Sequence, residues 1–348
     1  LTLDANTTGD NNTALGYASL TANTTADNNT AVGFSALAAN TTGFQNTAVG
    51  SGAGAAITTG DTNVAVGAAA LDALVTGDNS TAVGKDALGA TTVGDNTAVG
   101  SQALAANTTG ATNTAVGLFA ATANTTGASN VAMGYVALAA NTTGGNNVAV
   151  GRSSLTAMTT GSDNVAIGYD ALKTEDTHGK NVAVGRSALS TQNAGADGYN
   201  TAVGYYAGVN STTATGNTHI GAIAGASNTT GSSNVAVGES ALYANTTAAN
   251  NVAVGKNSLL ANTTGAGNVA VGQGALDANT TASNNTAVGL NALTTNITGT
   301  QNVAIGMEAL GLNTTNNNTA VGFYALRVNS SGTGNASLGY SSLDANTT

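Results

Sequence analysis

Proline, cysteine and tryptophan are absent from this chain of 348 residues; charged side chains make up 7% of it and aromatic ones 4%. Without cysteine there is no disulfide, thiolate metal site or cysteine nucleophile, and the redox compartment is left open. Only seven Lys and Arg stand against seventeen Asp and Glu, for a net charge of −10. Phosphate backbones are gripped by clustered basic side chains, so no nucleic-acid partner is expected. No run approaches the ~18 apolar residues of a membrane span, and no membrane insertion by this segment is expected. Residues 1–10 lack the basic and apolar regions of a signal peptide, so any export signal or anchor is expected outside the segment. Disordered chains combine low hydrophobicity with high charge and abundant proline, none of which holds here.

What is present is a repeat. The motif Asn-Thr/Val-Ala-Val-Gly begins at Asn12, Asn29, Asn46, Asn63 and Ser80 and returns to Asn318 and Asn335, twenty times in all. The spacing is 17 residues apart from two of 16, from Ser80 and from Asn302, and one of 19 from Asn181. A full unit, Asn29 to Gln45, reads N-T-A-V-G-F-S-A-L-A-A-N-T-T-G-F-Q; its residues are numbered below as positions one to seventeen. Such a unit is too short for helix-pair repeats, and β-branched residues beside glycine and Asn-Thr-Thr-Gly turns oppose a helix.

Each unit therefore reads as one coil of a parallel β-solenoid, an all-β array of about twenty coils over residues 1–348. Positions one to four, such as Asn147 to Val150, form a strand; a glycine such as Gly16, Gly33, Gly50 or Gly151 then bends the chain. A second short strand is expected at Ala-Leu, as in Ala171-Leu172 or at Leu37, and an Asn-Thr-Thr-Gly corner closes the coil. Side chains alternate between the faces of a strand. The fourth position is always Val, Ile, Leu or Met, as in Val49, and is expected to point inward. The third is Ala, as in Ala48, in all but two units, which carry His219 and Ser337. Its smallness suggests a backbone packed closely on the opposite face. One coil buries too little apolar surface to offset the entropy of ordering it, so self-association is expected, with His219 buried at the oligomer interface, where protonation is unfavourable.

The strand motif, its glycine, the following Ala-Leu and the glycine-bearing turn resemble the head repeats of YadA-like trimeric autotransporter adhesins. Similar arrays occur in phage tail-fibre proteins. The resemblance implies a left-handed β-roll in a homotrimer. It covers the whole chain, but the unit here is longer, and no stalk or membrane-anchor barrel accompanies it. Leu3 falls at the ninth position of a partial first unit and the chain stops mid-unit at Asn346-Thr347-Thr348, so the segment is expected to be an uncapped excerpt of a longer array.

Several features are candidates for a site. Asn-x-Thr recurs at Asn23, Asn40, Asn107 and Asn124 and is a glycosylation sequon. The same twelfth position holds Ile57, Leu74 and Met158, however, which points to an inward amide ladder. Thr-rich turns raise ice binding as a remote alternative, but Thr24 and Thr25 are adjacent and point to opposite sides. The sixth position varies and carries Tyr17, Phe34, Tyr135, Tyr169, Tyr205, Phe323 and Tyr340, alongside Ser51, Lys85, Arg152 and Glu239, as exposed surface residues do.

The scarce charge concentrates between Asn164 and Tyr206, including the 19-residue unit. There Tyr169, Lys173, Glu175, Asp176, His178, Lys180, Arg186, Tyr199 and Tyr205 form a candidate contact region, since loops on rigid scaffolds carry function. Catalysis has little to work with: His178 and His219 lie more than two coils apart, roughly 10 Å at about 4.8 Å per coil. Gly50-Ser51-Gly52-Ala53-Gly54 lacks the Gly-Lys-Ser/Thr ending of a phosphate loop. Asp27, Asp61, Asp78 and Asp95 are isolated, so neither metal nor cofactor is expected. The expected function is a non-catalytic structural or adhesive segment of an extracellular, cell-surface fibre, meeting a host surface, matrix or glycan receptor. The alternative is a phage tail-fibre shaft on a virion.

Overall fold

Three-residue strands recur once per repeat in the computed structural model, which describes residues 2–346. The closing Thr347-Thr348 of the mid-unit ending lie outside the described residues. The fold is an all-β parallel β-solenoid of 17-residue coils, about 19 turns in total. No helix is present among the described residues, and none is long and apolar enough to cross a membrane. The chain forms two compact units, Leu1–Thr177 and His178–Thr348.

The first unit carries ten strands, from Thr13–Leu15 and Thr30–Val32 to Val148–Val150 and Val165–Ile167. Each pairs in parallel with the next in unshifted register, so that Thr13, Ala14 and Leu15 sit beside Thr30, Ala31 and Val32. The second unit repeats the pattern from Val182–Val184 to Ala336–Leu338. It adds one more parallel pair, Leu312–Asn313 with Val328–Asn329, near its end. The strands begin at position two rather than one.

Between strands the backbone is held by hydrogen bonds to the adjacent coils. Thr30 N donates to Asn46 O at 2.8 Å, Leu37 N to Ala53 O at 3.0 Å and Thr41 N to Thr58 O at 2.9 Å. Most of a coil's polar backbone is thus satisfied by its neighbours, which suits a fold whose coils cannot stand alone. The fifth-position glycine is required twice over. Gly33 has φ 138°, and a Cβ there would lie 2.5 Å from Gly50 O in the next coil.

Several expectations fail. Ala-Leu is a turn, not a strand: Leu37 has φ 48° and the seventh-position Ser35 φ 53°, both in the left-handed region. Burial of the leucine and its bond to the next coil offset a conformation that costs a non-glycine residue about 1–2 kcal/mol. The strand faces are also inverted. Ala48 points inward and is fully buried, whereas Val49 points outward and is 38% exposed. The interior is filled from the opposite wall by the eighth-position alanine and ninth-position leucine, Ala36 and Leu37 in one coil, which leaves room at the third position for a methyl group. The alanine row is covered by its own chain and carries no argument for a partner. His219 likewise lies inside its own coil, fully buried, rather than at an interface.

Candidate functional surfaces

Two rows of asparagine run through the interior. At the twelfth position Asn40 is fully buried; its Nδ2 donates to Asn23 Oδ1 at 3.1 Å and to Gly43 O at 2.9 Å. Asn124 repeats this, donating to Asn107 Oδ1 and Gly127 O at 2.8 and 2.9 Å. Where an apolar residue takes the next rung the chain of amides ends. Asn40 Oδ1 and Asn141 Oδ1, which would be met by donors at Ile57 and Met158, have no hydrogen-bond partner. The sequons at Asn23, Asn40, Asn107 and Asn124 therefore present Nδ2 atoms already spent inside the coil.

The second amide row, at position one, escapes a reading that treats this residue as plain strand. Asn29 Oδ1 accepts from Asn46 N at 2.9 Å while its Nδ2 donates to Gly43 O at 2.8 Å, clamping the strand start to the corner of its own coil. The signal was available: position one is Asn in every unit but the one starting at Ser80.

The outer surface divides into rows of different character. Positions two and four face outward together, half-buried to exposed, as in Thr47 with Val49 and Val131 with Met133. Every fourth-position residue is apolar. Threonine alternates with valine in the second-position row, which interrupts a hydroxyl array at Val64 and across Val131, Val148 and Val165.

The sixth-position row is exposed and stacks on itself. Tyr17 and Phe34 lie 5.6 Å apart at 12°, and Phe323 and Tyr340 5.3 Å apart at 3°. Arg152 sits between Tyr135 and Tyr169, 5.8 and 5.6 Å from their ring centres. The ring faces are turned toward neighbours in the same row, an arrangement that favours internal stacking and cation–π contact.

The irregular stretch contributes residues to both units. In the first unit Lys173 meets Asp170 at 3.3 Å on the surface, and Tyr169 belongs to the Arg152 stack. Asp176 accepts Thr159 Oγ1 at 2.8 Å through its backbone carbonyl. Glu175, expected on a surface contact region, is instead fully buried. It stands at the twelfth position, whose side chain turns inward whatever its type. In the second unit, which opens at His178, Lys180 Nζ reaches Asp197 Oδ2 at 2.5 Å and Tyr199 OH at 3.2 Å. These hydrogen bonds, Asp197 first, raise the lysine pKa, and Lys180 lowers that of Asp197. Arg186 lies 5.9 and 5.7 Å from the rings of Tyr205 and Tyr206.

Comparison with models of known protein families finds no match, and comparison with curated proteins finds none either. The likeness to adhesin head repeats thus rests on the motif and on a coil geometry compatible with a β-roll.

Proposed function

We propose that the chain is a non-catalytic structural segment of an extracellular, cell-surface fibre, similar to the head repeats of YadA-like adhesins, and that it works as an assembly of identical chains. The outward strand row carries the proposal. In the ten three-residue strands of each unit, position two holds only Thr, Val or Ala and position four only Val, Ile, Leu or Met. Outward positions elsewhere change freely; the sixth runs Phe34, Ser51, Ala68, Lys85 in successive coils. A fourth-position surface row kept apolar while the sixth varies is what a covering partner requires.

A second copy is the partner that fits. Its own row repeats at the same pitch, so branched side chains meet coil for coil. Three residues at ~3.3 Å by ten coils at ~4.8 Å give a strip on the order of 500 Å² per unit. Each strip alone supplies more than half of the ~800 Å² that one partner contributes to a stable interface. Three chains about one axis is the arrangement the family resemblance implies. The variable outward positions would then present many weak contacts to a host surface, matrix or glycan, and repetition turns weak contacts into avidity.

The test is mass in solution. Val116→Lys with Val150→Lys places two charges in the row, and Leu118→Lys places one at the sixth position, where Lys85 already occurs. The row variant is expected to fall to the mass of one chain with its circular dichroism unchanged, while Leu118→Lys keeps the assembled mass. A row variant that stays assembled overturns the proposal.

A further inference from the structure

One titratable side chain of the second unit is sealed inside a coil with nothing to bond. His219, in strand Thr218–Ile220, lies in register between Ala202 and Ala236 of the adjacent coils. It is fully buried, and neither Nδ1 nor Nε2 has a hydrogen-bond partner. Its room comes from two glycines. The ninth position, leucine in most coils, holds Gly208 in the preceding coil and Gly225 in its own. Both keep the left-handed turn of the leucines they replace, at φ 58°. A Cβ on Gly225 would lie 2.5 Å from both Cδ2 and Nε2 of the imidazole, and one on Gly208 would lie 2.6 Å from Nδ1. The ring thus fills space that two leucines would claim.

No charge stands ready to meet a proton on that ring. The coil of His219, residues 217–233, contains no other titratable group. The coils packed on either side hold Tyr205 and Tyr206, and Glu239 and Tyr243, at the sixth, seventh and tenth positions, which lie on the outside of the coil. Burial alone pushes the imidazole pKa down to about 4.

We propose that His219 is an acid-sensitive joint in the solenoid: protonation of its ring opens the coils of residues 200–250 while the alanine-lined coils further along the same unit stay closed. Coils bind only their neighbours, so opening can be local. An unfolded imidazole titrates near ~6.5, above the folded value of about 4. The open state therefore binds more protons between these limits. Closure weakens as pH falls from ~6.5 to ~4, and the loss is complete below that. A separation of ~2.5 pH units corresponds to about 300-fold in the ratio of open to closed coils.

Hydrogen exchange of the full chain, read by mass spectrometry as protection factors corrected for intrinsic pH dependence, tests this between pH 7.5 and 4. Peptides within 200–250 are expected to lose about 150-fold protection by pH 4, half the limiting factor because the folded ring is then half protonated, relative to peptides within 268–302. The variant His219→Ala/Gly208→Leu/Gly225→Leu restores the common coil and is expected to lose the step. Equal loss in both regions, or a step that survives in the variant, overturns the proposal. Titration of the His219 ring by NMR in the unaltered chain decides independently of the variant: a pKa near 4 supports the joint, and one near 6.5 refutes it.

Discussion

Replacing Gly33 by alanine sets a methyl group against the backbone of the next coil. The added Cβ would meet Gly50 O at 2.5 Å and Gly50 C at 2.6 Å. Reaching an ordinary contact near ~3.4 Å requires the next coil to retreat by about 0.9 Å. That retreat stretches Gly50 N to Val32 O, now 2.8 Å, beyond hydrogen-bond length. At φ 138° the alanine also sits in a region left almost wholly to glycine, at about 2 kcal/mol. With one or two inter-coil hydrogen bonds at about 1 kcal/mol each, the total is about 4 kcal/mol. Gly52→Ala is the control: its φ is 71° and nothing lies within 4 Å of the new methyl. Its cost is the left-handed conformation less the gain from restricting the unfolded chain, about 1 kcal/mol. Hydrogen exchange read on residues 29–62 gives the local opening free energy of each variant. Equal losses in the two would refute the stacked-glycine argument.

Asn124→Ala removes donors to Asn107 Oδ1 and Gly127 O and the acceptor for Asn141 Nδ2; stranding buried partners predicts a loss of about 2–4 kcal/mol by urea denaturation. Gly225→Leu alone is expected to destabilise the second unit strongly, because its side chain and the His219 ring claim the same space, and His219→Ala is expected to rescue it. A double-mutant cycle on thermal midpoints measures the coupling, and additivity would contradict the packing described. Lys180→Ala is expected to leave the midpoint within measurement error, since its pair with Asp197 is exposed and screened by solvent. Peptide mapping of the chain expressed through a glycosylating secretory pathway is expected to find Asn40, Asn107 and Asn124 without glycan.

Much of the coil is legible in the sequence because stacking makes neighbours of residues 17 apart, so any position fixed by the stack repeats. Gly33 and Gly50, Asn23 and Asn40, and Leu20 and Leu37 announce themselves in this way. The direction of the strand does not, because both of its faces are apolar. Larger residues are usually the buried ones, and that rule misplaces Val49 and Ala48, since a coil this thin takes leucine from the far wall and has space for little more. Nor does the sequence reveal that Leu37 adopts a left-handed backbone, which leucine rarely does. The glycine at the same position in three coils, Gly54, Gly208 and Gly225, is the trace of it. Two of those glycines also forecast where the only inward histidine would fit. Glu175 shows the converse: its charge suggests a surface, while its place in the repeat puts it inside.

If other copies of the chain cover the outward row Val32, Val49, Val66 and their successors, the protein is assembled in solution. Sedimentation equilibrium of the unaltered protein from nanomolar to micromolar concentration tests it most directly. The expected mass is that of two or more chains of 33.2 kDa, with three the value that the resemblance implies. A single-chain mass throughout that range would contradict it and leave the apolar row without an explanation.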